Sequence, residues 1–83
     1  MAFNIVLKES ALKDLQQLST NVAKTIFSKI ENELPQSALQ QKQLKGNFKG
    51  LRRMRAGDYR VIFEIRNEQV IVLQIMHRKD VYR

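Results

Sequence analysis

Cysteine is absent from these 83 residues, and so is tryptophan, while proline and histidine each occur once. Without cysteine there is neither a disulfide nor a thiolate metal site to hold the chain together. No apolar run approaches the ~20 residues that a membrane span needs. The opening, Met1 to Glu9, has neither the basic start nor the long apolar region of a signal peptide. A cytoplasmic location is therefore expected. Nor is there an internal repeat or a low-complexity segment. This length suits one small domain, residues 1–83, in which 43% apolar residues can form a thin core. Its stability has to come from packing, and a bound partner would add to it.

What is present is positive charge, unevenly placed. The chain carries +7 at a pI near 10.2. Residues 1–41 balance four lysines against four carboxylates, whereas residues 42–83 hold eleven Lys or Arg against four carboxylates, so the second half carries the whole excess. A field concentrated on part of a small protein attracts a polyanion or an acidic protein. Nucleic-acid binders, ribosomal fragments and binders of acidic proteins all share that property.

Hydrophobic spacing organises the chain into two halves. Phe3 to Leu7 reads as a strand. From Ser10, a candidate N-cap, Ala11, Leu12, Leu15 and Leu18 follow helical spacing. Ser19-Thr20-Asn21 breaks the pattern, with Asn21 placed to cap a second helix. Val22, Ala23, Ile26, Phe27, Ile30 and Leu34 give that helix one broad apolar face, and Pro35 stops it. Two amphipathic helices on a short link form an αα-hairpin that needs a surface to cover. Leu12, Leu15, Ile26, Phe27 and Ile30 are expected in the core.

The second half supplies the surface. Residues 36–50 are polar, with Gly46 and Gly50 marking turns. Leu51–Ala56, Tyr59–Ile65 and Val70–Met76 read as strands joined by hairpin-length links. Alternation puts Arg52, Met54 and Ala56 on one face of the first and Arg53 and Arg55 on the other. In the second, Tyr59, Val61, Phe63 and Ile65 oppose Arg60, Ile62 and Glu64. With the helices on the Met54/Val61/Phe63 side, Arg53, Arg55 and Arg60 point together from the opposite face. The third strand is apolar on both faces, as a central strand is.

Leu-Lys-Gly, then residues 50–65 (GLRRMRAGDYRVIFEI), then His77-Arg78-Lys79-Asp80-Val81-Tyr82-Arg83 resemble the RelE/ParE superfamily of toxin–antitoxin toxins. The resemblance runs the length of the chain and in its tail is similar to the RelE branch. It implies an α+β fold: an N-terminal strand and αα-hairpin packed on one face of a mostly antiparallel sheet of about four strands. It implies a cognate antitoxin, with an acidic or amphipathic segment, that wraps or caps the toxin. It also implies a ribosome-dependent endoribonuclease that cuts mRNA in the A site of the 70S ribosome without a cofactor or metal. By position, Arg53 and Arg55 match basic strand residues, Arg60 the arginine after the tyrosine, and Arg78, His77 and Tyr82 the basic, histidine and tyrosine positions near the end. Some ribonuclease members carry lysine at the two early positions; arginine there holds charge but cannot abstract a proton.

Metal-free RNA cleavage needs a proton taken from the ribose 2′-hydroxyl, charge stabilised on phosphate, and a proton given to the leaving 5′-oxygen. Arg60 and Arg78 suit the second task, because a guanidinium fork pairs with phosphate oxygens. Histidine is the side-chain type that titrates near working pH, so His77 is the candidate for proton transfer. Tyr82 would orient the 2′-hydroxyl or stack on a base. Arg53 and Arg55, with Lys45 and Lys49, are the candidate RNA contacts. Against these stand plainer roles: a surface histidine at a strand end, a solvated arginine face, lysines in a solvated loop and Tyr59 in the core. Arg52 is expected at the edge as a snorkelling side chain. Glu64 could simply pair with Arg60, and Asp80 could anchor the tail. The rivals are a non-enzymatic ParE-like inhibitor of DNA gyrase and a plain RNA-binding module. Exposed stacking aromatics would mark the module, and Tyr59 and Phe63 fall on the wrong face for it.

Overall fold

The structure, a computed structural model, describes residues 2–46 and 50–79. Five strands form one sheet in the order β1-β5-β4-β3-β2: β1 (Asn4–Leu7), β2 (Lys42–Gln43), β3 (Arg52–Ala56), β4 (Tyr59–Arg66) and β5 (Gln69–His77). β1 runs parallel to β5, and the other three pairings are antiparallel. Helices α1 (Glu9–Gln16), α2 (Thr20–Asn32) and the single turn α3 (Leu34–Ser37) lie between β1 and β2, followed by a 3-10 turn at Ala38–Gln40. This is an α+β fold with one strand more than the sequence pattern announces, because β2 is two residues of a polar segment.

The core lies between the helices and one sheet face. Ile26, Ile30 and Leu34 meet Met54, Val61, Phe63, Val70, Val72 and Ile75 there. Phe63 is fully buried, and each such side chain contributes roughly 1.5–3 kcal/mol relative to exposure. Arg52 shares this parity, and its guanidinium donates to the carbonyls of Leu39 and Gln41, so it ties the 3-10 turn to the sheet edge as a snorkelling side chain.

Helix ends differ from their expected positions. α1 starts at Glu9 with Lys8 in the cap position, and the Ser10 hydroxyl instead donates to Leu73 O. Ser19, not Asn21, caps α2 through its hydroxyl, which accepts from Val22 N. α2 ends at Asn32, and Pro35 sits in the first turn of α3, where a missing N–H costs no helical bond. Two expected core residues are not buried: Leu12 and Phe27 are each 43% exposed. They line an apolar groove of about 420 Å³ between α1 and α2, since the α2 stripe is wider than the strip that meets the sheet.

β5 is irregular in a way that matters for function. Its pairing with β4 slips at a bulge, where Phe63 faces Val72 but Ile62 faces Gln74, leaving Leu73 as the extra residue. Val70 and Val72 enter the core before the bulge, and Ile75 enters it after. Even-numbered positions therefore point inward first, and odd-numbered ones afterwards.

Candidate functional site

The β3–β4 hairpin places the arginines. Gly57-Asp58 links the two strands, with Gly57 at φ +62°, a conformation glycine reaches without strain. This turn sets Arg55 directly across from Arg60, and Arg53 across from Ile62. All three sit on the face opposite the helical core, as alternation predicts. Arg60 is only 6% exposed, the one charged side chain buried among the described residues. Arg78 joins them from the end of β5. Its backbone N donates to Asp58 O at 2.7 Å, and its Nε lies 4.0 Å from the Asp58 carboxylate. Arg55, Arg60 and Arg78 then line one cavity of about 160 Å³, together with Gly57 and Tyr59.

Three guanidiniums line one small cavity, and among the described residues one exposed carboxylate, Asp58, stands beside it, a lining that suits an anion. Like charges directly across a strand pair are destabilising, so the Arg55–Arg60 pairing favours an occupant that spreads negative charge over several oxygens. Phosphate does so in the geometry a guanidinium fork matches. The Glu64 carboxylate pairs with Arg66 at 3.2 Å.

His77 does not enter this cavity. It pairs in register with Tyr59 and lines a different cleft of about 400 Å³ with Asp14, Gln17 and Leu18. The bulge is the cause, since it turns the odd-numbered end of β5 toward the helices. The His77 Nδ1 accepts from Lys79 N at 3.2 Å, which places the ring proton of the neutral form on Nε2. The His77 and Tyr59 rings meet edge to face, with centroids 5.2 Å apart. Tyr59 packs against the core, as strand parity predicts, and at the end of β4 it also lines the arginine cavity, which parity does not reveal. Lys45 is exposed beyond β2 and does not line the arginine cavity. Lys49, Tyr82 and Asp80 lie outside the described residues.

α1 holds the bulge that sets these directions. The Asp14 carboxylate accepts from Ile75 N at 2.9 Å, and the Ser10 hydroxyl donates to Leu73 O at 2.6 Å. One turn apart on the helix, the two side chains bond the backbone on either side of Gln74, just past the last β5 residue that β1 pairs with.

Comparison with known proteins fits this architecture. A family model described as the ParE toxin of the type II toxin–antitoxin system parDE matches residues 5–82. Toxin RelE3 of Methanocaldococcus jannaschii is 29% identical over 94% of this chain and 93% of its own length. The RelB–RelE antitoxin–toxin complex of Methanococcus jannaschii contains a chain that is 28% identical, with a TM-score of 0.70, over 93% of this chain and 94% of that one. The toxin–antitoxin complex RelBE2 of Mycobacterium tuberculosis shares the fold at a TM-score of 0.88, with 22% identity, over 94% of this chain and all of that one. With the family model spanning nearly the whole chain, the protein belongs to the ParE toxin family of type II toxin–antitoxin systems, within the RelE/ParE superfamily.

Proposed function

We propose that this toxin is an endoribonuclease of RelE type, cutting mRNA in the ribosomal A site by attack of the 2′-hydroxyl on the adjacent phosphate. The convergence of Arg55, Arg60 and Arg78 on one cavity carries the reading. Arg60 and Arg78 hold the scissile phosphate and the charge that develops on it, and Arg53 and Arg55 hold the strand. Proton transfer is assigned to the Tyr59–His77 pair rather than to histidine alone, because Tyr59 lines the cavity and its ring is in contact with that of His77. Tyr82 is proposed to orient the 2′-hydroxyl or stack on a base. No cofactor is invoked. The partner is a cognate antitoxin, and the groove beside Leu12 and Phe27 offers an apolar seat to an amphipathic antitoxin helix.

A second reading, non-enzymatic inhibition of DNA gyrase, is favoured by the match to a ParE family model and by the turning of His77 away from the arginines. Ribosomes programmed with mRNA separate the two. Cuts within the A-site codon, leaving a 2′,3′-cyclic phosphate and a 5′-hydroxyl, are expected with the intact protein and are lost with Arg78→Ala. Uncut message together with trapped gyrase–DNA complexes would select the second reading.

A further inference from the structure

A second basic notch opens where the sheet edge steps down. β2 is two residues long and pairs Lys42 with Arg53 and Gln43 with Arg52, so β3 runs on past it from Met54. A cavity of about 260 Å³ lies at that step, lined by Lys29 of α2 and Glu33 just past its end, by Gln41 and Lys42, and by Arg53, Met54 and Arg55. Of the described residues, four cations and one carboxylate line it. Among the described residues, Glu33 makes no ion pair with Lys29 or Lys42.

Two features tie the notch to the arginine cavity. Arg55 lines both. Arg53 and Arg55 are two residues apart on one strand face, roughly 6.6 Å along β3, a step comparable to that between neighbouring phosphates of an extended strand. The lining also argues against a protein occupant. Protein interfaces are anchored by apolar and aromatic contacts, and the one apolar residue here, Met54, is 3% exposed.

We propose that the notch is a second phosphate subsite, in which Lys29 and Lys42 hold the RNA phosphodiester next to the one in the arginine cavity. The proposal rests on RNA being the ligand of that cavity. Arg55 is then shared between consecutive phosphates, and the strand crosses the edge of the sheet at β2.

The test is binding of a 2′-O-methyl RNA oligonucleotide, which cannot be cleaved, followed by fluorescence anisotropy from about 50 to 200 mM salt. Each phosphate contact on a single strand adds about 0.7 to the slope of log affinity against log salt. Lys29→Gln with Lys42→Gln removes one phosphate contact and should flatten the slope by about 0.7, weakening low-salt binding on the order of severalfold. Lys8→Gln with Lys24→Gln removes the same charge from outside the notch and should leave the slope nearly unchanged. Equal effects from both pairs would overturn the subsite, leaving only a diffuse field. So would unchanged RNA binding with weakened antitoxin binding, since the notch would then serve an acidic peptide. If the double variant melts below the intact protein, Lys42→Gln alone decides, with an expected flattening of up to about 0.7. Oligonucleotide binding with these slopes, but no cleavage on ribosomes, would sink the nuclease reading and keep the subsite. Cleavage by the intact protein, with the notch pair matching its control, would sink the subsite alone.

Discussion

Arg60 is buried to 6% exposure with another arginine as its cross-strand neighbour, and like charges placed so cost stability. Replacing Arg55 by threonine removes the like-charge pairing and puts a β-branched residue on an exposed strand position. Thermal denaturation should show a gain of about 0.2–1 kcal/mol, while affinity for the uncleavable oligonucleotide falls severalfold. A loss of stability would mean that the two guanidiniums do not repel. Tyr59→Phe tests the proton-transfer assignment. It keeps the ring against His77 but removes the phenol, and cleavage should fall by roughly 10²–10⁴ with oligonucleotide binding intact. Full activity of this variant would exclude the phenol from the reaction.

At the scale of elements, the contact between α1 and β5 decides which way the end of β5 points. Asp14→Ala should cost about 1 kcal/mol and speed hydrogen exchange at the Ile75 amide, while Asp14→Asn, which keeps an acceptor, should restore protection. Unchanged exchange in the alanine variant would remove α1 from the role. The same region shows what the sequence could convey. Arg53, Arg55 and Arg60 were legible because alternation in β4 is clean, from Val61 to Phe63 on one side and from Arg60 to Ile62 on the other. The placement of His77 was not legible, because Val70-Ile71-Val72-Leu73 is apolar on both faces and conceals where the phase slips. The signal is the change from Val70 and Val72 to Ile75, which no single period accommodates. The short elements from α3 to β2 were hidden for another reason: each is too short to show a period, with Leu34 and Ala38 as buried anchors and Arg52 bonding the carbonyls of Leu39 and Gln41. Phe27 and Leu12 look like core on spacing alone, since a helical stripe does not record how much of its width is covered. Phe27→Gln should therefore cost less than about 1 kcal/mol, far below the 3–5 typical of truncating a buried aromatic, and chemical denaturation would measure the difference.

The molecule as a whole depends on few large side chains. Total stability for this length is on the order of 4–12 kcal/mol. Phe63→Ala, with its loss of about 3–5 kcal/mol, should leave a large unfolded fraction at growth temperature. Circular dichroism would show this as a lowered melting midpoint; a midpoint within a few degrees of the intact protein would contradict the central place of Phe63 in the core. The excess charge is also a property of the whole. It lies in the second half of the chain, and the arginines it supplies reach one surface because β3, β4 and the end of β5 are adjacent in the sheet.

The parallel pairing of β1 with β5 sets Asn4 beside Gln69. A ribosome making this protein releases the N-terminal strand and all three helices before the strands they must cover. At about 5–20 residues per second, β1 waits several seconds for β5. The nascent chain holds an apolar helical hairpin without its sheet during that interval, and Arg78, which completes the arginine cavity, is added later still. Translation therefore separates the synthesis of this toxin from the assembly of its arginine cavity, and an antitoxin already present in the cell can meet the chain before that cavity exists.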